Sequence, residues 1–318
     1  MVSAPTLARF AVGYTPADDL TEDTLALLDF GASGSSADPR RLRVPLQSLG
    51  AASLRERWTV AASVTHGRSE ALHWSAGGGW LFVALELNEA EFGGIEATAE
   101  HVYRRLCEFV GAREERHLLR IWNYLHAINE GKGDDERYRR FCVGRARGMD
   151  GSWQDRYPAA TAIGRRDGVR VLQVYALAAR IAGLPVENPR QVNAWRYPRE
   201  YGPTPPTFAR GMTTPAGQLL ISGTAAVVGS ASRHHDDVAA QLDETLTNVE
   251  SLIRTAGTNG AQTPGAGSLL KVYVRDAKDA PLVVAKLSEA MSDADGILVL
   301  GGDICRRELL VEIDGVHA

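Results

Sequence analysis

One carboxylic acid in this 318-residue chain stands where a carboxylate is poorly solvated. Glu312 lies in the C-terminal run 309–316, among Leu309, Leu310, Val311 and Ile313, residue types that suit a pleated, half-buried strand. A carboxyl placed there either finds a partner or keeps its proton at a raised pKa, and a neutral acid can deliver that proton to a substrate. The plain alternative is that Glu312 alternates toward solvent on an edge strand. Seven residues upstream stands Cys305, followed by Arg306 and Arg307. No base adjoins Cys305 in sequence, so it reads as a compact, weakly polar packing residue and not as a covalent nucleophile.

Other residue clusters promise less chemistry. The pair His234-His235 falls at a helix start, where adjacent side chains do not converge on one ion, and no cysteine or carboxylate completes a metal set at ligand spacing. Arg137, Arg139 and Arg140 read as a solvated helix face, and Arg306 can equally point outward. Cys107 and Cys142 read as buried helix-face thiols. Three scattered cysteines make no disulfide framework and suit a reducing cytoplasm. A formal net charge of −4 gives no basic footprint for nucleic acid, and no run approaches the roughly 20 apolar residues of a membrane span.

The elements that must position Glu312 emerge from periodicity. Residues 1–75 are hard to read, with only short apolar runs such as 58–64 suggesting strands. From Trp80 the order sharpens: strand 80–87, then a helix with Ile95, Ala99, Val102, Leu106 and Phe109 on one face. Strand 117–125 and an Arg-rich helix over 134–149 follow, then strands 157–164 and 169–178 joined through the turn residues 165–168. The order then recurs. Strand 218–229 precedes a helix presenting Val238, Leu242, Leu246, Val249 and Ile253, a Gly/Thr/Pro loop covers 256–267, and strand 268–276 comes next. A helix over 280–291 with Pro281 in its first turn, strand 296–302 and the closing run 309–316 complete it.

This repeat, jointed at 183–206, predicts an α+β protein of two like units in tandem, each a mixed β-sheet with helices packed on one face, divided as 1–188 and 189–318. Residues 172–175 of the first copy fall opposite 311–314 of the second, so Gln173 stands where Glu312 stands. A neutral amide opposite an acid favours one active site per chain.

Two resemblances follow. LLISGTAAVVG, LLKVYVRD and the terminal VEI make the last third similar to the RidA/YjgF superfamily of small α+β proteins. Across nearly the whole chain, RIWNYL with a following Ile-Asn, ERYRRFCVGRA, YPAATAIG, YPREYGPTPPTFARG, LLISGTA and ICRRELLVEIDG resemble the chorismatases, which act on chorismate. The resemblance implies two RidA/YjgF-like (chorismate-mutase-like) domains, a pocket made mainly by the C-terminal one, no metal or organic cofactor, and chorismate as the small-molecule partner. It implies that Glu312 protonates the enolpyruvyl methylene. Cys305 falls where subfamilies differ, and a second discriminating position falls on Ala225 or Ala226, beside Thr224.

Cysteine at position 305 implies a product of 3-hydroxybenzoate, with 4-hydroxybenzoate as a companion product left open. The alternatives are hydrolysis to a trans-dihydrodiol, a RidA-like binding protein without catalysis, or an imine deaminase. Chorismate carries two carboxylates, for which Arg145, Arg210 and Arg307 offer guanidinium forks and Tyr124, Tyr138 and Tyr201 offer hydroxyls. Four prolines stiffen 197–210 as a pocket wall or a linker. RidA-like proteins are usually trimers, and a fused pair of units can satisfy part of that interface internally, so the expected state is a monomer.

Overall fold

The computed structural model describes residues 7–34, 36–50, 54–150, 156–257, 260–294 and 296–318. Of the loop anticipated over 256–267, positions 258 and 259 lie outside the described residues. The chain begins with β1 (Phe10–Thr15), β2 (Thr24–Phe30), β3 (Arg41–Val44) and β4 (Arg55–Val60), paired in the order β1-β4-β2-β3. Only β4 overlaps the strand anticipated at 58–64. In β4, Glu56, Trp58 and Val60 turn inward while Arg55, Arg57 and Thr59 lie toward the surface, the period-2 alternation of a half-buried strand.

The first unit proper comprises β5 (Thr65–Ser69), β6 (Leu72–Gly77), β7 (Trp80–Asn88), α1 (Ile95–Gly111), β8 (His117–His126), α2 (Arg137–Gly148), β9 (Ala159–Arg165) and β10 (Val171–Ala179). The second comprises β11 (Leu184–Val186), β12 (Gly211–Thr213), β13 (Leu219–Ala225), β14 (Val227–Val228), β15 (Ala231–Ser232), α3 (Val238–Ala256), β16 (Ser268–Val274), α4 (Ala280–Ala290), β17 (Gly296–Gly301), β18 (Asp303–Ile304) and β19 (Val311–His317). Helix α3 starts at a capping Asp237, whose side chain accepts from the Ala240 amide, and stops at Gly257 in the left-handed region. The buried face of α1 drifts from the one anticipated: Tyr103 and Val110 are buried, and Phe109 is half-buried.

The tandem repeat is present in the topology. The first unit's sheet runs β9-β8-β10-β7 and the second's runs β17-β16-β19-β13, with β8–β9 and β16–β17 parallel in both. The turn at 165–168 therefore joins two strands that do not pair: β9 and β10 flank β8 on opposite sides. Gln173 pairs across the strand with Tyr124, and Glu312 pairs with Tyr273, so the two residues hold equivalent places. The single strand anticipated at 218–229 breaks after Ala225, where β14 turns back to pair with β15.

Helices α1 and α2 cover one face of the first sheet, and α3 and α4 one face of the second. The helix-free faces meet, together with β1–β4, in a shared core of Trp58, Trp80, Phe82, Trp122, Leu220, Tyr273 and Leu300. The units also exchange an edge: β18 pairs with β9 of the first sheet, through Ile304 opposite Ile163. Among the described residues no helix is long and apolar enough to cross a membrane.

Candidate active site

The pleat of β19 decides where Glu312 points. Val311 and Ile313 enter the core beneath α3 and α4, so Glu312 and Asp314 project from the opposite face. Glu312 pairs with Ala225 of β13, and the register between β13 and β19 shifts between Ile221 and Thr224. Within that irregularity lies Gly223, where a Cβ would collide with the Glu312 carboxyl oxygen. The carboxyl borders a cavity of about 440 Å³, within the range of pockets that enclose small ligands.

Burial raises the Glu312 pKa to about 8, and the charge of Asp314 adds to it, while Arg120, Arg210 and Arg275 pull the other way. Among the described residues none hydrogen-bonds this carboxyl with its side chain, so burial prevails and favours the protonated acid near neutral pH. The solvent-facing edge-strand alternative fails: β19 is internal to its sheet and Glu312 is only 4 % exposed.

Asp314 is fully buried in a charged cluster between the two sheets. It lies 3.0 Å from the Arg120 guanidinium and 3.4 Å from Lys271 Nζ, and accepts from Thr161 Oγ1 at 2.8 Å and Tyr273 OH at 3.0 Å. Lys271 in turn lies 2.5 Å from Glu56 of β4, whose other oxygen accepts from Trp58 Nε1. Two cations answer two anions, as a buried charge requires.

Cys305 borders the cavity beside Glu312. Burial, then the nearby Glu312, hold its thiol well above the ordinary cysteine range, so it is no thiolate at neutral pH. Tyr138 lines the same wall, its phenol likewise pushed up by burial.

Arg210, buried on the segment before β12, donates to Tyr197 OH at 2.6 Å and to the Val192 carbonyl at 2.8 Å, and lies 5.3 Å from the Phe208 ring centroid. Arg307 is exposed at the rim and donates to the carbonyls of Asn129 and Gly131. Arg145 stands behind the main cavity in a small recess shared with Glu312, Cys305 and Tyr138, where it donates to the Thr207 carbonyl at 2.9 Å. Tyr201 lines the cavity, as does Ala225.

Three anticipated residues lie elsewhere. Tyr124 is fully buried in the inter-sheet core, its ring 5.9 Å from that of Tyr175; it pairs with Gln173, the first unit's counterpart of Glu312, and so lies away from the cavity. Thr224 pairs with Ile313 and its hydroxyl donates to the Ser222 carbonyl, since alternation on β13 sends it to the face opposite Gly223 and Ala225. Ala226 is buried beside Ala225, Val227, Ile304 and Leu309 and does not line the cavity.

Other residues depart from their surface reading. Arg306 turns inward, its guanidinium 4.0 Å from the Tyr201 ring centroid and 5.0 Å from that of Tyr197, with Nη1 donating to the Ser230 carbonyl. Arg137 is buried against Glu89 at 2.7 Å, Arg139 reaches the cavity and only Arg140 is exposed. Cys142 is buried as anticipated and Cys107 is partly so. His234 faces Glu244 at 3.2 Å. Tyr197, Glu136 and Glu308 also line the cavity and were missed; the tyrosine-rich, proline-stiffened 197–210 was the available signal for the first.

A family model described as Chorismatase FkbO/Hyg5-like, N-terminal, matches residues 56–178. A 3-hydroxybenzoate synthase from Streptomyces hygroscopicus is 35% identical over 278 residues, covering 82% of this chain and 80% of its own. A chorismatase from Streptomyces rapamycinicus is 36% identical, covering 84% and 83% respectively. A crystal structure of a chorismatase superposes with a TM-score of 0.87 at 30% identity, over 99% of this chain and 100% of the other. With this extent of shared sequence joined to a matching fold, the chain belongs to the chorismatase family.

Proposed function

We propose that this protein converts chorismate to 3-hydroxybenzoate and pyruvate, with Glu312 as the acid. The observation that carries the reading is a buried carboxyl, its pKa raised to about 8 by that burial, on the wall of a cavity that arginines and tyrosines also line. Arg210 and Arg306 face the cavity with aromatic rings against their guanidinium planes, which suits them to the substrate's two carboxylates. Arg307 serves at the rim and Arg145 from the recess, with Tyr138 and Tyr201 as hydroxyl donors.

Glu312 gives its proton to the enolpyruvyl methylene, which becomes the methyl group of pyruvate. The resulting oxocarbenium ion makes the side chain a leaving group. The neighbouring ring hydroxyl bonds to the carbon that pyruvate departs, passing its proton to the Glu312 carboxylate and forming an arene-oxide-like species. Opening of the oxide with loss of one ring C–H proton, and uptake of one proton by the oxygen, gives the phenol. No water is consumed, so water that reaches the cation diverts the reaction to the dihydrodiol. Cys305 and Ala225, on either side of Glu312, keep that part of the cavity compact and weakly polar, and Ala225 is the second product-determining position.

Because β11 (Leu184–Val186) pairs into the second sheet, we place the division between the units just before it and not at 188/189, with the site drawn mainly from the second unit, and we assign a cytoplasmic monomer. Incubation with chorismate, with pyruvate followed by a coupled assay and aromatic products by chromatography, tests the function. Pyruvate with 3-hydroxybenzoate is expected, and chromatography also reports any 4-hydroxybenzoate. Absence of pyruvate would overturn the reading in favour of a binding protein without catalysis.

A further inference from the structure

The loop 303–310 carries five cavity residues, Cys305, Arg306, Arg307, Glu308 and Leu309, yet has little regular structure beyond the two-residue strand β18. Its backbone polar groups must find partners elsewhere, because buried carbonyls left unpaired are costly. Three side chains from three distant elements supply them. Arg275, directly after β16, donates through Nε to the Leu309 carbonyl at 2.8 Å and through Nη2 to the carbonyls of Ile304 at 3.0 Å and Arg306 at 2.8 Å. Asn129, after β8, donates through Nδ2 to the carbonyls of Ile304 at 3.0 Å and Cys305 at 3.2 Å. Gln241 of α3 donates to the Glu308 carbonyl and accepts from the Leu310 amide, both at 2.8 Å.

Two of these side chains are joined to each other. Arg275 Nη1 donates to Asn129 Oδ1 at 3.1 Å and to Asp303 Oδ1 at 2.8 Å, so Asn129 uses its oxygen on Arg275 and its amide nitrogen on the loop. Asn129 comes from the first unit and Arg275 from the second. A planar fork with five N–H donors in fixed directions can serve the five acceptors around Arg275 at once, whereas a lysine has three donors and no fixed fork.

We propose that Asn129 and Arg275 act as a paired positioning device that fixes Cys305 against the cavity and thereby sets how much of the reaction is diverted to water. The proposal rests on the chorismate reading given above. Neither side chain borders the cavity, so both act through the loop they hold. Loosening the loop moves the Cys305 side chain away from Glu312 and opens space for water where the oxocarbenium ion forms.

Arg275→Lys and Asn129→Ala test this, the second removing fewer bonds should the first fail to fold. Each variant is treated with iodoacetamide and mapped by mass spectrometry, with Cys107 as the internal reference and Cys142 as the buried control. Alkylation of Cys305 relative to Cys107 should rise on the order of tenfold. With chorismate, the ratio of 3-hydroxybenzoate to dihydrodiol should fall by about tenfold, in proportion to the misplacement. A merely structural role predicts lower thermal stability with the product ratio of the wild type, and that result would overturn the proposal. Unchanged Cys305 alkylation would overturn it too. If the unaltered protein releases no pyruvate, the functional reading fails by itself, and the alkylation comparison still decides whether the pair holds the loop.

Discussion

Gly223 and Glu312 compete for one space: a side-chain carbon at position 223 would stand against the carboxyl oxygen of Glu312. The register shift in β13 and the absence of a Cβ together create the seat of the acid. Gly223→Ala is expected to displace the carboxyl without unfolding the sheet, because the other near neighbour of an added carbon, a Thr161 methyl, is at ordinary contact distance. The turnover of chorismate should fall roughly 10²-fold, with KM changed less, as for a displaced reacting group. Initial rates with circular dichroism as the fold control check this.

Glu312→Gln removes the transferable proton and should lower pyruvate release by about 10²- to 10⁴-fold while chorismate still binds. In the unaltered enzyme kcat/KM should decline as pH rises through about 8, where the acid loses its proton. Stability carries the same sign. The folded protein holds this proton at pH values where the unfolded chain has released it, so Glu312 favours folding less as pH rises from the ordinary carboxylate range to about 8. Glu312→Gln should therefore gain stability over the parent on going from pH 4 to pH 8, by on the order of a few kcal/mol, readable from denaturant curves.

Cys305→Ala and Ala225→Gly each enlarge the space beside Glu312. Both should raise the dihydrodiol share of the product, and chromatography at equal chorismate consumption measures it. An unchanged profile in both would count against a packing role for these positions.

Arg210 is held by Tyr197 and by the Val192 carbonyl, leaving its remaining donors for a ligand. Arg210→Lys keeps the charge and loses the planar fork. KM for chorismate should rise about tenfold, with a smaller change in kcat. Titration of the inactive Glu312→Gln background with chorismate provides the same comparison without turnover.

Lys271→Met leaves Glu56 without its cation in the inter-sheet core and takes one of two from Asp314. Breaking a buried charge pair from one side costs about 3 to 5 kcal/mol, so the midpoint of chemical denaturation should fall accordingly.

The acid and its place were readable because β-strand chemistry is local. An apolar run with one carboxyl, and a repeat that sets Gln173 opposite it, need only periodicity, and the shared tyrosine partners Tyr124 and Tyr273 bear out that register. The same pleat could have removed Thr224 from the site, since it must face away from its neighbours Gly223 and Ala225. Tyr124 was misplaced because a hydroxyl in a family-like segment says nothing about whether its strand lies beside the acid or beside the acid's counterpart in the other unit. Arg306 was left to solvent because the tyrosines that draw it inward, Tyr197 and Tyr201, lie more than a hundred residues away. The opening four-stranded sheet escaped notice for a different reason. In β3 and β4 arginines at 41, 43, 55 and 57 break the apolar runs while pairing with partners such as Asp29 and Asp19, whereas the fully buried β2 offers an apolar run that could have been read.

That opening sheet has a bearing on how the protein can be engineered. Its backbone carbonyl at Arg43 accepts a hydrogen bond from Gln173, covering in the first unit the spot that holds Glu312 in the second. Its Glu56 reaches on to Lys271, inside the second unit. A gene truncated to the second unit, or trimmed of its first sixty codons, would bare a tryptophan-lined apolar face and strand a lysine in it. Such fragments should precipitate when expressed, and minimal versions of this catalyst will have to be sought by shortening surface loops.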